Sequence, residues 1–283
     1  MYFKKEGKKL SGNMKKGLVV AAALLVIGTS TSVLAAQNTD YISMFFNNKG
    51  ASSLANNTTN NQVAIQSGIK MKIEDSISGG KSSIIIVSFE KADGSTFPKD
   101  AFILNLEVET KKDVSYMVEQ RVAEDGKKLI AMFDVDTTIS LDGEKVTVKA
   151  DAIVEEKTNE TIAKGPFTNK FIAQENAKNI NVDLTISNQK EELALKQVYV
   201  STIGIGIEGK RLDGNTEYLP KKNPKVKVIT KDDKVIELSL SSTSTTDLGF
   251  KFQYSLDQDG DRIFLDKNNI KTIEIDNQSV MVP

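Results

Sequence analysis

The chain of 283 residues contains no cysteine, no histidine and no tryptophan. Without histidine or cysteine it cannot form a Ser-His-Asp triad, a Cys-His pair, a histidine-based zinc site or a disulfide framework. The remaining enzymatic options are a pair of carboxylates, a Ser-Lys dyad or a metal held by oxygen ligands alone. We therefore expect a protein that is not an enzyme and that carries no cofactor.

Arginine is scarce as well, with three in the whole chain. Residues 1–36 carry six lysines and one acid, a net charge of +5, which leaves a net charge of −6 on the rest of the chain. A mildly acidic body with few arginines and no dense basic run binds nucleic acid poorly. We expect no nucleic-acid partner.

The N-terminus predicts the location of the protein. Residues 1–16 form a short basic segment, and the uncharged stretch GLVVAAALLVIGTSTSVLAA follows at 17–36. Its apolar core of ten residues is typical of a signal peptide that is cut after Ala35 and Ala36. The whole stretch of twenty residues is also long enough to cross a bilayer of about 30 Å. Under both interpretations the lysines stay inside and the body is extracytoplasmic: held by a single membrane span, or secreted if the segment is cleaved.

Residues 37–62 are predicted to connect the span to the body. DYISMFFNN predicts one short amphipathic helix, and KGASSLANNTTNNQ is rich in Asn, Ser and Thr without apolar periodicity. Such a composition is typical of a flexible tether. We expect the folded structure to begin near Val63.

The body predicts β-strands throughout. Apolar residues alternate with polar ones, as in IKMKIE at 69–74 and FKFQYSL at 250–256, and no helical stripe longer than two turns follows residue 62. SIIIVSF at 83–89 is apolar on successive residues, which predicts a central strand covered on both faces.

Asp-Gly pairs punctuate these strands at five places, 92–96, 124–128, 141–145, 212–216 and 258–262. Glycine adopts positive φ without a Cβ penalty and Asp tolerates left-handed geometry, so each pair predicts a tight hairpin turn. Short strands with such turns are typical of a β-sandwich.

The length of the strand-rich region predicts two domains. One sandwich of seven strands takes about 100 residues, so we expect an all-β fold of two tandem Ig-like β-sandwiches, at 63–175 and 176–283. The polar break AQENAKN at 173–179 predicts the joint between them. Without the immunoglobulin cysteines and tryptophan, the domains are Ig-like in topology only.

The order of these parts resembles a known family. The apolar segment, the tether and GIKMKIEDSISGGKSSIIIVSFEKADGSTFPKDA are similar to the start of a domain of unknown function in the extracytoplasmic part of Firmicutes membrane proteins. Many of those proteins are anti-sigma factors for extracytoplasmic-function sigma factors. GPFTNKF and VYVSTIGIGIEG resemble the junction into the Ig-like domain that often follows. Family members that inhibit a sigma factor carry a helical cytoplasmic domain before the span, whereas MYFKKEGKKLSGNMKK precedes it here.

The resemblance implies the sensing part of an anti-sigma factor, without the cytoplasmic inhibitor domain. We therefore expect a membrane-anchored, non-enzymatic protein of cell-envelope signalling, with a protein partner. The alternative is a secreted or surface-attached Ig-like module for binding or adhesion.

Several short motifs are candidate sites. Asp134 and Asp136 share one strand face and form a possible acid pair, although solvated strand ends more often look this way. Ser78, Gly79, Gly80 and Lys81 lack the spacing of a phosphate loop and predict a hairpin turn. The glycines of IGIGIEG at 203–209 predict either close approach by a ligand or another backbone, or a bulge or tightly packed sheet corner. KKNPK at 221–225 predicts a solvated loop.

The stretch SLDQDGDRIFLDKNN raises the question of calcium. Asp257, Asp259 and Asp261 occupy the first three ligand positions of an EF-hand loop, but Arg262 replaces the required glycine and Asn268 the bidentate glutamate. We expect a hairpin turn here and no catalytic, cofactor or metal site elsewhere, with these three aspartates as a weak calcium candidate.

Overall fold

A computed structural model of the protein describes residues 41–46, 63–188, 191–246, 249–258 and 261–283. The predicted basic segment at 1–16, the apolar stretch at 17–36 and most of the predicted connection at 37–62 lie outside these ranges. No helix within the described ranges has the length and apolar character that crossing a membrane requires. Asp40–Pro283 form one compact unit.

The N-terminal sandwich consists of two antiparallel sheets. The first has the order β1-β2-β3-β7-β6, and in the second β4 and β5 pair with one edge of β8 and β9 with the other. The strands are β1 Val63–Gln66, β2 Ile69–Ser78, β3 Ser82–Lys91, β4 Ala101–Leu104, β5 Glu107–Glu109, β6 Val114–Val122, β7 Lys128–Thr137, β8 Lys145–Glu155 and β9 Thr161–Ile172.

The core of this sandwich lies between the two sheets, as the alternation of apolar residues predicts. Inward residues of β2 and β3, among them Ile73 and Phe89, pack against inward residues of β8 and β9, among them Val148 and Phe167. β3 is buried on its outer face as well, where Ile84 and Ile86 belong to a separate apolar cluster. The prediction that this strand is covered on both sides is confirmed.

The C-terminal sandwich is built from one antiparallel sheet of nine strands in the order β10-β11-β12-β15-β14-β13-β17-β18, with β16 paired to β15. The strands are β10 Lys178–Asn188, β11 Glu191–Ser201, β12 Gly204–Arg211, β13 Val226–Thr230, β14 Val235–Thr246, β15 Gly249–Gln258, β16 Asp261–Ile263, β17 Ile270–Ile275 and β18 Gln278–Met281.

β14 joins the two layers of this sandwich. Its first residues, Val235 to Leu238, pair with β13, and its later residues, from Ser239 onward, pair with β15. Side chains from both halves, such as Ile207 and Val228, enter one core. The predicted fold class, all-β with tandem sandwiches, is therefore confirmed. The predicted joint at 173–179 falls on the connection between β9 and β10, where the chain passes from the first pair of sheets to the nine-stranded sheet.

The Asp-Gly turns differ from the prediction in two respects. Only the turns at 123–126 and 258–261 join paired neighbouring strands. Those at 92–96 and 141–145 lie where the chain crosses between the two sheets of the N-terminal sandwich, and that at 212–216 connects β12 with β13, which share the nine-stranded sheet but are not paired. In the four turns whose glycine is described, the glycine alone has positive φ, between 69° and 77°. In three of them the aspartate instead accepts a hydrogen bond from the N–H two residues on, and in the fourth, Asp142 accepts one from the N–H of Glu175. The Asp-Gly pairs thus mark tight turns in general, and only two of the five turns are hairpins.

The folded structure does not begin near Val63, because an earlier segment is part of it. Ile42–Met44 form a short 3₁₀ helix, and Ile42 and Phe46 are 3% and 2% exposed. We call Tyr41–Phe46 the strap. The short helix predicted in DYISMFFNN falls on this segment, where the structure has one 3₁₀ helix. The sequence did not predict that two of its side chains are buried against the body. The predicted tether KGASSLANNTTNNQ lies outside the described residues.

Candidate functional site: the joint between the sandwiches

The hairpin between β2 and β3 lies in the interface between the two sandwiches, and from here on the joint means this interface. Gly79 N–H donates to the carbonyl of Ser82 at 2.7 Å, which closes the turn, and β3 follows directly. A Cβ on Gly79 would lie 2.3 Å from the Ser201 hydroxyl oxygen, and a Cβ on Gly80, whose φ is +73°, would lie 2.7 Å from the Tyr199 ring. The predicted hairpin is confirmed, and its glycines allow its backbone to pack directly against β11 of the other sandwich.

Glu175 attaches the connection between the sandwiches to this hairpin. Its Oε1 accepts hydrogen bonds from the N–H groups of Gly80, Asn176 and Ala177 at 2.8, 2.9 and 2.8 Å. Its Oε2 accepts one from the Ser140 hydroxyl at 3.0 Å. One carboxylate therefore fixes the direction in which the chain leaves the N-terminal sandwich.

Lys251 is the buried cation of the joint, 1% exposed. Its Nζ donates to the carbonyl of Lys81 at 2.8 Å, to the Ser82 hydroxyl at 3.0 Å and to Asp136 Oδ1 at 3.0 Å. The Ser82 hydroxyl in turn donates to the same Asp136 oxygen at 2.6 Å. All three donors of the ammonium thus have partners in the other sandwich, which is the condition under which a buried charge is tolerated.

The pKa of Asp136 reflects this arrangement. Burial alone would raise it, but the Lys251 ammonium and hydrogen bonds from Ser82, Lys251 and Ser242 outweigh burial and hold the pKa below its ordinary value of 3.8. The carboxylate is therefore ionised at neutral pH and pairs with the ammonium in its charged form.

Two further ion pairs cross the joint. Arg262 Nη1 lies 2.5 Å from Asp134 Oδ2, and Lys81 Nζ lies 2.6 Å from Glu208 Oε1. The Tyr199 hydroxyl donates to the other Glu208 oxygen at 3.0 Å. Burial, followed by the negative charge of Glu208, raises the pKa of Tyr199 far above its ordinary value, so this hydroxyl remains a donor.

Asp134 and Asp136 share one face of β7, as predicted, but they are not a solvated strand end. Each carboxylate is bound by a different cation of the C-terminal sandwich, and their side chains are 24% and 31% exposed. The sequence did not reveal these partners. Lys251 and Gln253 alternate with Phe250 and Phe252 and so resemble a solvated face, yet they are 1% and 2% exposed because the hairpin of the other sandwich covers them.

The glycines of IGIGIEG serve close packing of the sheet. A Cβ on Gly204 would lie 1.9 Å from the Tyr254 carbonyl oxygen, and a Cβ on Gly209 would lie 2.5 Å from that of Ala194. A Cβ on Gly206 would lie 3.1 Å from the Tyr199 ring. Neighbouring backbone occupies the Cβ positions of Gly204 and Gly209, and side chains occupy that of Gly206. Gly209 also lies beside a register shift between β11 and β12. Close approach by another backbone and tight packing at a bulge therefore both apply here.

The remaining candidates are the three aspartates considered for calcium and the KKNPK loop. Asp259 is outside the described residues, and Asp257 Oδ1 accepts a hydrogen bond from the Ser255 hydroxyl at 3.2 Å. The backbone pairing of Gln258 with Asp261 agrees with the predicted hairpin. In the described ranges, no three acidic side chains lie close enough together to hold a metal ion. In KKNPK the lysines are exposed.

Comparison with known proteins informs the fold only. The crystal structure of a conserved domain protein from Bacillus anthracis is similar to this chain, with a TM-score of 0.53 and 14% sequence identity over 80% of this chain and 77% of that one. No protein-family model matches the chain. No curated protein matches it.

Proposed function

We propose that the protein is a membrane-anchored, extracytoplasmic and non-enzymatic module of cell-envelope signalling, comparable to the sensing part of an anti-sigma factor. The carrying observation is the joint. The acid pair that the sequence offered for chemistry, Asp134 and Asp136, holds the two sandwiches together instead. Polar groups between the sandwiches thus fix one sandwich against the other. Such a fixed arrangement suits a signalling module in which both sandwiches respond together to a ligand or partner.

Anchoring is supported by the six lysines before the apolar stretch at 17–36. The test is fractionation of cells that express the full chain, followed by mass spectrometry. We expect a protein of unprocessed mass in the membrane fraction. A control chain with Leu24→Lys and Leu25→Lys, which interrupts the apolar core, is expected to leave that fraction. A shorter protein in the medium would overturn anchoring and favour the secreted binding module.

Signalling is tested by the neighbourhood of the gene. An adjacent sigma-factor gene is expected for the sensing part of an anti-sigma system, whereas a neighbourhood of surface-protein genes would favour the binding module. Co-purification of a sigma factor with the full-length chain, lost when residues 1–16 are removed, would be needed to add inhibition to this proposal.

A further inference from the structure

The strap, Tyr41–Phe46, lies on the outer face of the first sheet of the N-terminal sandwich. Ile42 and Phe46 belong to one apolar cluster with side chains from β2, β3 and β7, namely Ile77, Ile84, Ile86, Ile130 and Met132. Contact with this cluster buries the outer face of β3, so that the strand is buried on both faces. A segment of six residues therefore covers an apolar surface that would otherwise face solvent.

Two cations of the N-terminal sandwich contact aromatic rings of the strap. Lys128 Nζ lies 4.8 Å from the centroid of the Tyr41 ring, and the Arg121 guanidinium lies 5.0 Å from that of Phe45. Arg121 also donates to the carbonyl of Met44. Burial would lower the pKa of Lys128, but hydrogen bonding to Tyr41 and the charge of Glu74 raise it, so the lysine stays charged. These contacts involve the N-terminal sandwich alone.

Phe46 reaches the other sandwich. Its ring centroid lies 4.4 Å from that of Phe264, and Ile203 belongs to the same apolar cluster. Phe264 is two residues from Arg262, which pairs with Asp134 and donates to the carbonyl of Ile203 at 3.5 Å. The short segment 262–264 thus carries both an ion pair of the joint and the contact with the strap.

We propose that the strap and the joint form one coupled device: the strap docks fully only while the two sandwiches are held together, and opening of the joint weakens its docking. The contact of Phe46 with Phe264 exists only in the closed arrangement, so it stabilises strap docking and joint closure by the same free energy. The contact of Phe45 with Arg121 lies within the N-terminal sandwich, so it is present in both arrangements and does not couple them.

The consequence for signalling rests on the proposed anchoring. Four residues, 37–40, separate the end of the apolar stretch from the strap, and they span at most about 14 Å when extended. A ligand or partner that separates the sandwiches would then alter the attachment of the body at a point close to the membrane.

The test is hydrogen exchange of the full-length protein in detergent micelles, followed by mass spectrometry. Lys251→Met removes the buried ammonium of the joint and touches no strap residue. We expect exchange in Tyr41–Phe46 to rise by about tenfold or more, the factor that corresponds to ~1.4 kcal/mol. Asp183→Asn, which removes an exposed ion pair of the same sandwich, is the control and is expected to leave the strap unchanged. Faster exchange at 78–82 without any change in the strap would overturn the coupling.

The reverse experiment uses two neighbouring strap residues. Phe46→Ala is expected to speed exchange in the hairpin at 78–82. Phe45→Ala, which removes the ring that lies against Arg121 of the N-terminal sandwich, is expected to speed exchange in the strap and to affect the hairpin less than Phe46→Ala does. Equal effects of both variants on the hairpin, or none from either, would contradict the proposal.

A second variant and the position of the strap allow the coupling and the anchoring to be tested separately. If Lys251→Met unfolds the whole chain, Glu208→Gln provides a milder opening of the joint and carries the same expectation. The exchange experiment does not depend on cleavage, because the strap lies beyond the predicted cleavage point. A retained anchor with an uncoupled strap refutes the coupling alone, and a cleaved chain with a coupled strap refutes the anchoring alone.

Discussion

Lys251 illustrates how a single residue acquires a role that its surroundings in the chain do not indicate. Burying an isolated ammonium is very unfavourable, and the burial is tolerated here because three acceptors from the other sandwich surround it. The pair with Asp136 is consequently sensitive to removal of either partner. Loss of one partner leaves the other buried without its counterion.

Asp136→Asn is expected to reduce the free energy of unfolding at pH 7 by about 2 kcal/mol, since Lys251 keeps its two neutral acceptors. The pKa of Asp136 is lowered in the folded state, so its contribution is fully present above the ordinary value of 3.8 and is lost as the pH falls through the folded value. The difference between variant and parent should therefore shrink as the pH falls below 3.8. Urea denaturation at several pH values measures it.

The control for this prediction is Asp183→Asn, because Asp183 pairs with Lys196 at the surface. Exposed pairs contribute little, so its stability at pH 7 should match that of the parent. A constant difference between Asp136→Asn and the parent across the whole pH range would contradict the assigned role.

At the scale of elements, the β2–β3 hairpin carries the main contact between the sandwiches. Its alternation and glycines predicted a turn correctly, but nothing in SGGK indicates that β11 lies against it. Both glycines are needed because Ser201 and Tyr199 occupy the space that a Cβ would require, and Gly80 is needed also for its positive φ.

Gly80→Ala and Gly94→Ala form a matched pair that separates backbone strain from contact. Their φ angles are +73° and +74°, but a Cβ at Gly94 would meet nothing within 4 Å. Gly94→Ala is expected to reduce the free energy of unfolding by about 1 kcal/mol through strain alone. Gly80→Ala should reduce it by a further ~1–3 kcal/mol, because the Tyr199 ring must move. Chemical denaturation measures both.

A double-mutant cycle completes this comparison. In the background of Tyr199→Ala the extra effect of Gly80→Ala should largely disappear, since the ring that it displaces is gone. Equal losses for the two glycines in the parent background would show that the hairpin does not pack closely against β11.

At the scale of the whole molecule, the described part of the chain contains three apolar clusters. Each sandwich has its own core, and the third cluster joins the strap, the outer face of β3 and residues of the C-terminal sandwich. Together with the ion pairs of the joint, this third cluster makes Asp40–Pro283 one compact unit.

One cooperative transition is therefore expected in calorimetry, with equal calorimetric and van't Hoff enthalpies. A variant with Asp134→Asn, Asp136→Asn and Glu208→Gln should resolve two transitions, because each sandwich keeps its core while the polar contacts between them are lost. Two separate transitions in the parent protein would contradict the role of the joint.

The control carries three substitutions of the same kind away from the joint: Glu109→Gln, Asp183→Asn and Asp233→Asn. Each removes an exposed ion pair within one sandwich. This variant should keep the single transition.

The sequence alone determined the all-β class, the alternating inward residues and the tight turns, because burial of one strand face and positive φ at glycine are local requirements that a short stretch of chain must satisfy. The tertiary structure decided which strands pair, and therefore which Asp-Gly turns are hairpins. It also decided that Asp134 and Asp136 pair with Arg262 and Lys251 across the joint and that the strap lies on β3. Those contacts join residues about 40 to 130 positions apart, and an alternating strand shows the same pattern whether its polar face meets water or another sandwich.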